Sequence, residues 1–211
     1  MIGGDNVPEN TDGVWRTVGG RRIFIAKGQS LSDAMSKSGK FTKNEDISHT
    51  SSVKKQELID KYQISESEVE SIRSYTSDGH LKLNRELRQS AGDLSKCSAE
   101  VEQQCKDIDS LLSKLPKFEG VVRRGEPELM SYKYKVGEVY ANPGYTSTTA
   151  WSEISGVVQL EIKQSSGCNV SKFSTCPGEN EVLLPRGFRY KVTRIDKTSS
   201  GYVKVYAEEV K

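Results

Sequence analysis

The sequence has little histidine, little cysteine and no long apolar run, and each shortage removes a class of function. Only two histidines occur in 211 residues, His49 and His80. The four cysteines, Cys97, Cys105, Cys168 and Cys176, form two pairs spaced eight apart, with no C-x-x-C. A zinc site wants thiolate and imidazole ligands clustered at short spacing, so no metal is expected. Four cysteines are also too few to staple a chain of this length. They read as free thiols in a reducing compartment, with a Cys168–Cys176 bridge left open for oxidising surroundings. No apolar stretch nears the ~20 residues of a membrane-spanning helix, so a soluble protein without membrane association is expected. Met1-Ile2-Gly3-Gly4-Asp5 lacks a basic n-region and an apolar h-region, so no secretory signal is visible; a processed chain would look the same. Charge of one sign is missing too. Lys and Arg number 31 against 29 Asp and Glu, a net +2, which argues against nucleic-acid binding through bulk charge.

What is present divides into a polar start, a helical stretch and a β-rich end. Residues 1–13 are a polar lead-in. Val14 to Ile25 predicts a hairpin turning at Gly19-Gly20. Gly28 to Ser38 predicts a short helix capped by Ser30, and Lys40 to Ser52 a loop. Helices are then expected over Ser51–Tyr62 and from the capping box Ser65/Glu68 through Val69, Ile72 and Tyr75. A break falls at Asp78-Gly79, and a short helix carries Leu81, Leu83 and Leu87. A longer amphipathic helix spans Ala99–Leu115, with Val101, Cys105, Ile108, Leu111 and Leu112 inward, and Pro116 ends it. Strands follow: Gly120–Arg124, Tyr145–Thr149 after the turn Asn142-Pro143-Gly144, Val157–Ile162, Val182–Leu184, Phe188–Ile195 and Tyr202–Glu208. Glu128–Tyr134 predicts one more short helix, and Ser199-Ser200-Gly201 turns the last hairpin. Helices followed by strands indicate an α+β fold. The expected division is an N-terminal arm or hairpin, residues 1–45, and a catalytic domain, residues 46–211.

Within the β-rich half, Glu179 and Glu181 stand two apart ahead of Val182-Leu183-Leu184-Pro185. In an extended chain they share a face. Like charges so close repel, which a fold gains little by keeping unless they do chemistry. Alone, the pair reads as a solvated acidic turn, and a turn at Pro177-Gly178 can rotate Glu179 away until substrate arrives. Three further patterns accompany it: Arg123-Arg124-Gly125 at a strand end, the hydroxyl strand Tyr145-Thr146-Ser147-Thr148-Thr149, and Tyr75-Thr76 with Asn84 and Leu87-Arg88 upstream.

In this order the patterns resemble the mono-ADP-ribosyltransferases of the arginine–serine–glutamate class, above all the enzymatic domains of clostridial-type binary toxins and related phage and bacterial transferases. Those proteins carry a strand ending in Arg, a strand of the form aromatic-x-Ser-Thr-Ser, and Glu-x-Glu before a hydrophobic strand. Val136-Gly137-Glu138-Val139-Tyr140, Pro143-Gly144-Tyr145 and Gly167 to Ser174 also look like the family's approaches to its serine and glutamates. The resemblance covers about residues 55–211.

The resemblance implies an ADP-ribosyltransferase fold, with N-terminal helices and a two-sheet antiparallel or mixed β core enclosing an NAD cleft. NAD+ is the implied co-substrate. Arg124, with Arg123 as the alternative, would grip a dinucleotide phosphate through forked, charge-assisted hydrogen bonds. Ser147 would orient the catalytic glutamate, and Thr148 joins the cofactor-binding set. Thr149 departs from the family's serine but keeps a hydroxyl. Trp151 would stack near the nicotinamide, or else sit in the core. Glu181 would act at the ribose, where cleavage passes through an oxocarbenium-like state. Glu179 would pair with an incoming guanidinium and help remove its proton. Tyr75, Asn84 and Arg88 would border the NAD cleft, with packing and capping as the plainer alternative, and Phe173 would touch the acceptor.

Residues 14–41, outside that resemblance, look like a short segment of tailed-phage minor head proteins. The implied partners are therefore target proteins with an acceptor arginine and phage head or virion components. The implied setting is the bacterial host cytoplasm, reached with the virion, and a monomer is expected. Two other functions stay in view: an NAD glycohydrolase on the same fold, and a non-catalytic head-associated module.

Overall fold

The computed structural model describes residues 13–18, 21–26, 53–128, 130, 133–150, 156–175, 177–197 and 202–211. The helical half comprises α1 (Val53–Tyr62), α2 (Glu66–Ser74), α3 (His80–Gln89) and α4 (Ala99–Lys114). Its ends follow from the sequence. Ser65 Oγ accepts the Glu68 N–H at 3.2 Å while the Ser65 N–H donates to Glu68 Oε2 at 2.6 Å, a complete capping box. The Glu68 carboxylate, 3% exposed, also takes the Lys114 ammonium at 2.7 Å. One buried carboxylate thus ties the start of α2 to the end of α4. Burial pushes this carboxyl up, but hydrogen bonds from Lys114, Ser110 and Ser65 outweigh it and hold Glu68 below its ordinary value.

The expected break at Asp78-Gly79 is a kink just upstream: Ser77, at φ −100° and ψ −120°, leaves the helical region between α2 and α3. Gly79 permits it, because a Cβ there would lie 2.6 Å from the Ser74 carbonyl oxygen. On α3, Leu83 and Leu87 are buried and Leu81 faces solvent. The α4 stripe is buried at all five expected positions.

The strands are β1 (Gly13–Val18), β2 (Arg21–Ala26), β3 (Gly120–Glu126), β4 (Val139–Ala141), β5 (Thr146–Thr149), β6 (Val158–Gln164), β7 (Cys168–Asn169), β8 (Glu181–Leu184), β9 (Arg189–Lys197) and β10 (Val203–Glu209). β1 and β2 form the expected hairpin, Gly13↔Ala26 to Val18↔Arg21, as a sheet of their own. The other eight run in the order β4-β9-β10-β6-β3-β5-β8-β7. β6 and β10 pair in parallel, and the remaining pairs are antiparallel. The ladder is continuous but nearly divided, because among the described residues β3 and β5 share only the pair Arg123↔Thr149. The expected two-sheet core takes this form: a five-strand lobe and a three-strand lobe joined by one rung. All four residues of β8 are buried, and they serve two cores. Leu183 packs with Ile72, Leu83, Leu87 and Ile108 from the helices, whereas Val182 and Leu184 pack with Val122, Leu160 and Val192 of the other lobe. Side-chain alternation along the strand produces that division.

The expected helix over Glu128–Tyr134 is not seen at its described residues, 128, 130, 133 and 134. Its described residues make three-residue turns, Met130 N–H to Pro127 O at 3.0 Å and Lys133 N–H to Met130 O at 3.1 Å, since so short a segment cannot sustain a helical nucleus. The expected Gly28–Ser38 helix, the 40–52 loop, the 199–201 turn, Trp151 and Cys176 lie outside the described residues. Cys97, Cys105 and Cys168 are free thiols. Among the described residues no helix is long and apolar enough to cross a membrane, and no His/Cys/Asp/Glu group can hold a metal ion.

Candidate active site

β5 and β8 run side by side with Ser147 opposite Leu183 and Thr149 opposite Glu181. Glu181 opens β8 and is 4% exposed. The Ser147 side chain hydrogen-bonds its carboxylate. Burial is the largest influence and pushes the Glu181 carboxyl up; Glu179 adds to it, while Ser147, His80 and Arg124 oppose it, and the net displacement is upward. A desolvated carboxylate oriented by a hydroxyl is arranged to stabilise positive charge nearby better than solvent would.

Arg124 and Arg123 divide as strand alternation requires. Arg124 Nη1 donates to the Ser147 carbonyl at 2.8 Å, and its charge reaches Glu181. Arg123 turns away to Glu161 at 3.5 Å and the Ala150 carbonyl at 3.4 Å. The same alternation corrects Thr148. Its hydroxyl donates to the Val182 carbonyl at 2.6 Å and the residue is 5% exposed, so it cannot serve as an NAD contact. Thr149, where the family pattern has serine, donates its hydroxyl to the Glu179 carbonyl at 2.9 Å.

Glu179 and Glu181 do not share an extended strand. Pro177–Glu179 is a turn of 3-10 helix with Glu179 exposed, and Asn180 stands at φ +49°. The left-handed residue, a conformation asparagine tolerates better than most, turns the chain between the two carboxylates. Glu181 still feels the Glu179 charge.

Of the upstream residues, Tyr75 and Asn84 are braces. Asn84 Nδ2 donates to the Tyr75 hydroxyl at 3.1 Å, and Asn84 Oδ1 accepts the Tyr145 N–H at 2.9 Å. Their amide and hydroxyl groups thus fix the start of the serine strand, which is the packing alternative. Tyr75 nevertheless lies within electrostatic reach of Glu181, Arg124 and Arg88, while burial drives its hydroxyl well above the ordinary range. Arg88 is exposed on α3. Phe173 requires correction: it is 1% exposed in the helical core, with the Lys55 ammonium 6.0 Å from its ring centroid. An aromatic so enclosed is core packing and offers no surface to an acceptor.

Three contributors were not foreseen. His80, at the start of α3, packs edge-on against Tyr75 at 6.0 Å between centroids and lowers the Glu181 carboxyl by its charge. Asp109 accepts the Tyr145 hydroxyl at 2.6 Å and the Arg186 Nε–H at 2.7 Å, so that Asp109 and Arg186 join β5 and the end of β8 to α4. The scarcity of histidine was the available signal for the first; one of two Asp on an amphipathic helix and an Arg after a strand gave none for the other two.

A helix layer, a mixed sheet nearly split in two and a serine-held glutamate at the split together define the ADP-ribosyltransferase fold. The structure of an ADP-ribosyltransferase from Clostridium botulinum matches with a TM-score of 0.63 and 22% identity, covering 82% of this chain and 100% of that one. That of the ADP-ribosyltransferase Vis from Vibrio splendidus, in complex with agmatine, matches at 0.56 and 22%, covering 77% of this chain and 87% of that one. Identities this low establish the fold alone. The model of the ADP-ribosyltransferase exoenzyme family matches residues 50–210, and the chain belongs to that family. A Mycobacterium avium (strain 104) protein, Mav, is 33% identical over 129 residues, 57% of this chain and 15% of its own length; its name provisionally assigns it NAD(+)–arginine ADP-ribosyltransferase activity. The matches span 15%, 62% and 32% of the length of three curated relatives.

Proposed function

We propose that this chain transfers ADP-ribose from NAD+ to arginine side chains of target proteins and releases nicotinamide. The observation that carries the reading is the buried Glu181 carboxylate held by Ser147 within reach of Arg124. Arg124 meets a phosphate of the dinucleotide. Glu181 faces the nicotinamide-bearing ribose and stabilises the positive charge as the bond from C1′ to the nicotinamide nitrogen breaks, that nitrogen leaving with the electron pair. A guanidinium nitrogen then bonds to C1′, and Glu179 takes its proton. Arginine as acceptor is supported by the names of the curated relatives and by the agmatine complex of Vis.

Labelled NAD+ with an arginine analogue or a host lysate tests the reading. Label transfer that disappears in Glu181→Ala is expected; neither transfer nor nicotinamide release by the wild-type chain would refute it. The outward turn of Glu179 favours a second reading, NAD+ hydrolysis with water as acceptor. The ratio of nicotinamide released to acceptor labelled separates the two. We further read residues 1–45 as an arm distinct from a catalytic domain at 46–211. The hairpin's separate sheet and the family match starting at residue 50 support this division. The arm's resemblance to phage head proteins supports carriage with a virion into a bacterial cytoplasm.

A further inference from the structure

We propose that Glu126 is the positioning residue of Arg124, and that Tyr134 and Tyr190 fix Glu126 in turn. This rests on the reading of Arg124 as the residue that meets a phosphate of NAD+. Arg124 and Glu126 stand two apart on β3, so their side chains leave the same face. The Arg124 side chain is 40% exposed and has many rotamers to lose. It is gripped at two points: Nη1 on the Ser147 carbonyl at 2.8 Å, and Nε against Glu126 Oε1 at 3.6 Å. The first grip sets the distance to the serine strand. The second sets the rotation of the guanidinium plane, which decides where its fork points.

Glu126 can impose that rotation because it is itself immobilised. Its side chain is 13% exposed. Oε2 accepts the Tyr134 hydroxyl at 2.7 Å, and the Tyr134 and Tyr190 hydroxyls lie 3.2 Å apart. A phenol has one proton to give. Tyr134 gives its proton to Glu126, so Tyr190 donates to Tyr134, and the chain of hydrogen bonds runs one way toward the carboxylate. Both tyrosines are buried, and Tyr190 stacks on Tyr140 and Phe188 at interplanar angles of 27° and 29°. On the backbone side, Gly156 passes so close that a Cβ there would lie 2.8 Å from the Glu126 N and O atoms. An arginine oriented in advance by such a network loses less freedom on meeting a phosphate.

The test is a double-mutant cycle on NAD+ affinity and on the split between KM and kcat, with an NMR signal that needs no NAD+. Glu126→Ala should raise the dissociation constant and KM for NAD+ about tenfold, with kcat changed far less. Tyr134→Phe should raise KM about threefold, and Glu126→Gln, which keeps the side-chain volume, should fall between these and wild type. In an Arg124→Ala background, Glu126→Ala should add nothing further. The ordered Nε–Hε resonance of Arg124 should vanish in Glu126→Gln. Additive losses in the double variant, or an unchanged Arg124 resonance, would overturn the assignment. A wild-type chain that binds no NAD+ would overturn the parent reading, and the resonance would still decide the positioning.

Discussion

Asn84 Oδ1 accepts the backbone N–H of Tyr145 at 2.9 Å, joining two residues 61 apart in sequence. The bond lies where α3 meets the start of the serine strand, two residues before Ser147. A Cβ on the neighbouring Gly144 would lie 2.3 Å from that same oxygen. Asn84→Ala leaves a buried N–H unpaired and should cost about 1–3 kcal/mol. Gly144→Ala displaces the same amide and should cost a similar amount. Because both act through one hydrogen bond, the double variant should lose little more than the worse single one in chemical denaturation. Full additivity would show that they do not.

The Asp109 carboxylate should be a second support. It accepts from Tyr145 and from Arg186. Asp109→Ala leaves the partly buried Arg186 without its carboxylate and the Tyr145 hydroxyl with the Cys105 carbonyl at 3.1 Å, with an expected loss of about 2 kcal/mol in urea melts. Transferase turnover should fall with it, because Ser147 and Glu181 lie on the two strands it anchors.

Glu181 predicts a pH dependence of stability with a definite sign. Its folded value is raised, so the folded state holds the proton more tightly than the unfolded one. Stability is therefore lost as pH rises from the unfolded value near 4.5 through the folded value, and the full cost is present above it. Glu181→Gln removes that cost. The variant should be inactive yet more stable than wild type at pH 8, with the advantage vanishing near pH 4. Thermal melts across pH check this.

Glu68 predicts the opposite slope. Its folded value is depressed, so its contribution is present above the ordinary value of 4.5 and is lost as pH falls through the folded value. Glu68→Ala also takes the carboxylate from Lys114, which keeps the Gln63 carbonyl at 2.9 Å, and removes the Glu68 half of the capping box. A loss of about 3 kcal/mol at pH 7 is expected, shrinking in acid.

Thr149 should influence the acceptor step alone. Thr149→Val removes the hydroxyl that holds the Glu179 carbonyl. A bond worth about 1 kcal/mol corresponds to roughly fivefold in transfer to an arginine analogue. NAD+ hydrolysis should hardly change, and Thr149→Ser should restore transfer. Equal loss of both activities would detach Thr149 from Glu179.

The helical half was legible in the sequence because its signals are local. The Ser65/Glu68 capping box and the α4 stripe each lie within a few turns of chain, and both stand as expected. The break at Asp78-Gly79 was legible too, and it falls at Ser77, with Gly79 packed against the Ser74 carbonyl. At the site, strand parity already required that one of Arg123 and Arg124 face away. The same parity placed Thr148 apart from Ser147, a consequence the motif resemblance obscured. Phe173 misled for another reason: its burial depends on α1 closing over it, a contact between distant segments. Asp109 and Arg186 were invisible because their partners are set by tertiary approach, whereas Glu126 was passed over although strand parity puts it on one face with Arg124. Asp109 and Arg186, for instance, are 77 residues apart.

The single rung between β3 and β5 has a mechanical consequence. A ladder of many hydrogen bonds resists shear through its backbone, whereas one pair acts as the spine of a book whose covers can change angle. Resistance at that spine falls to side chains that cross it, and Arg124 on the Ser147 carbonyl is one of them. If Arg124 meets the dinucleotide as proposed, its guanidinium is also a clasp between the covers, so that filling the cleft and setting its width draw on the same few atoms.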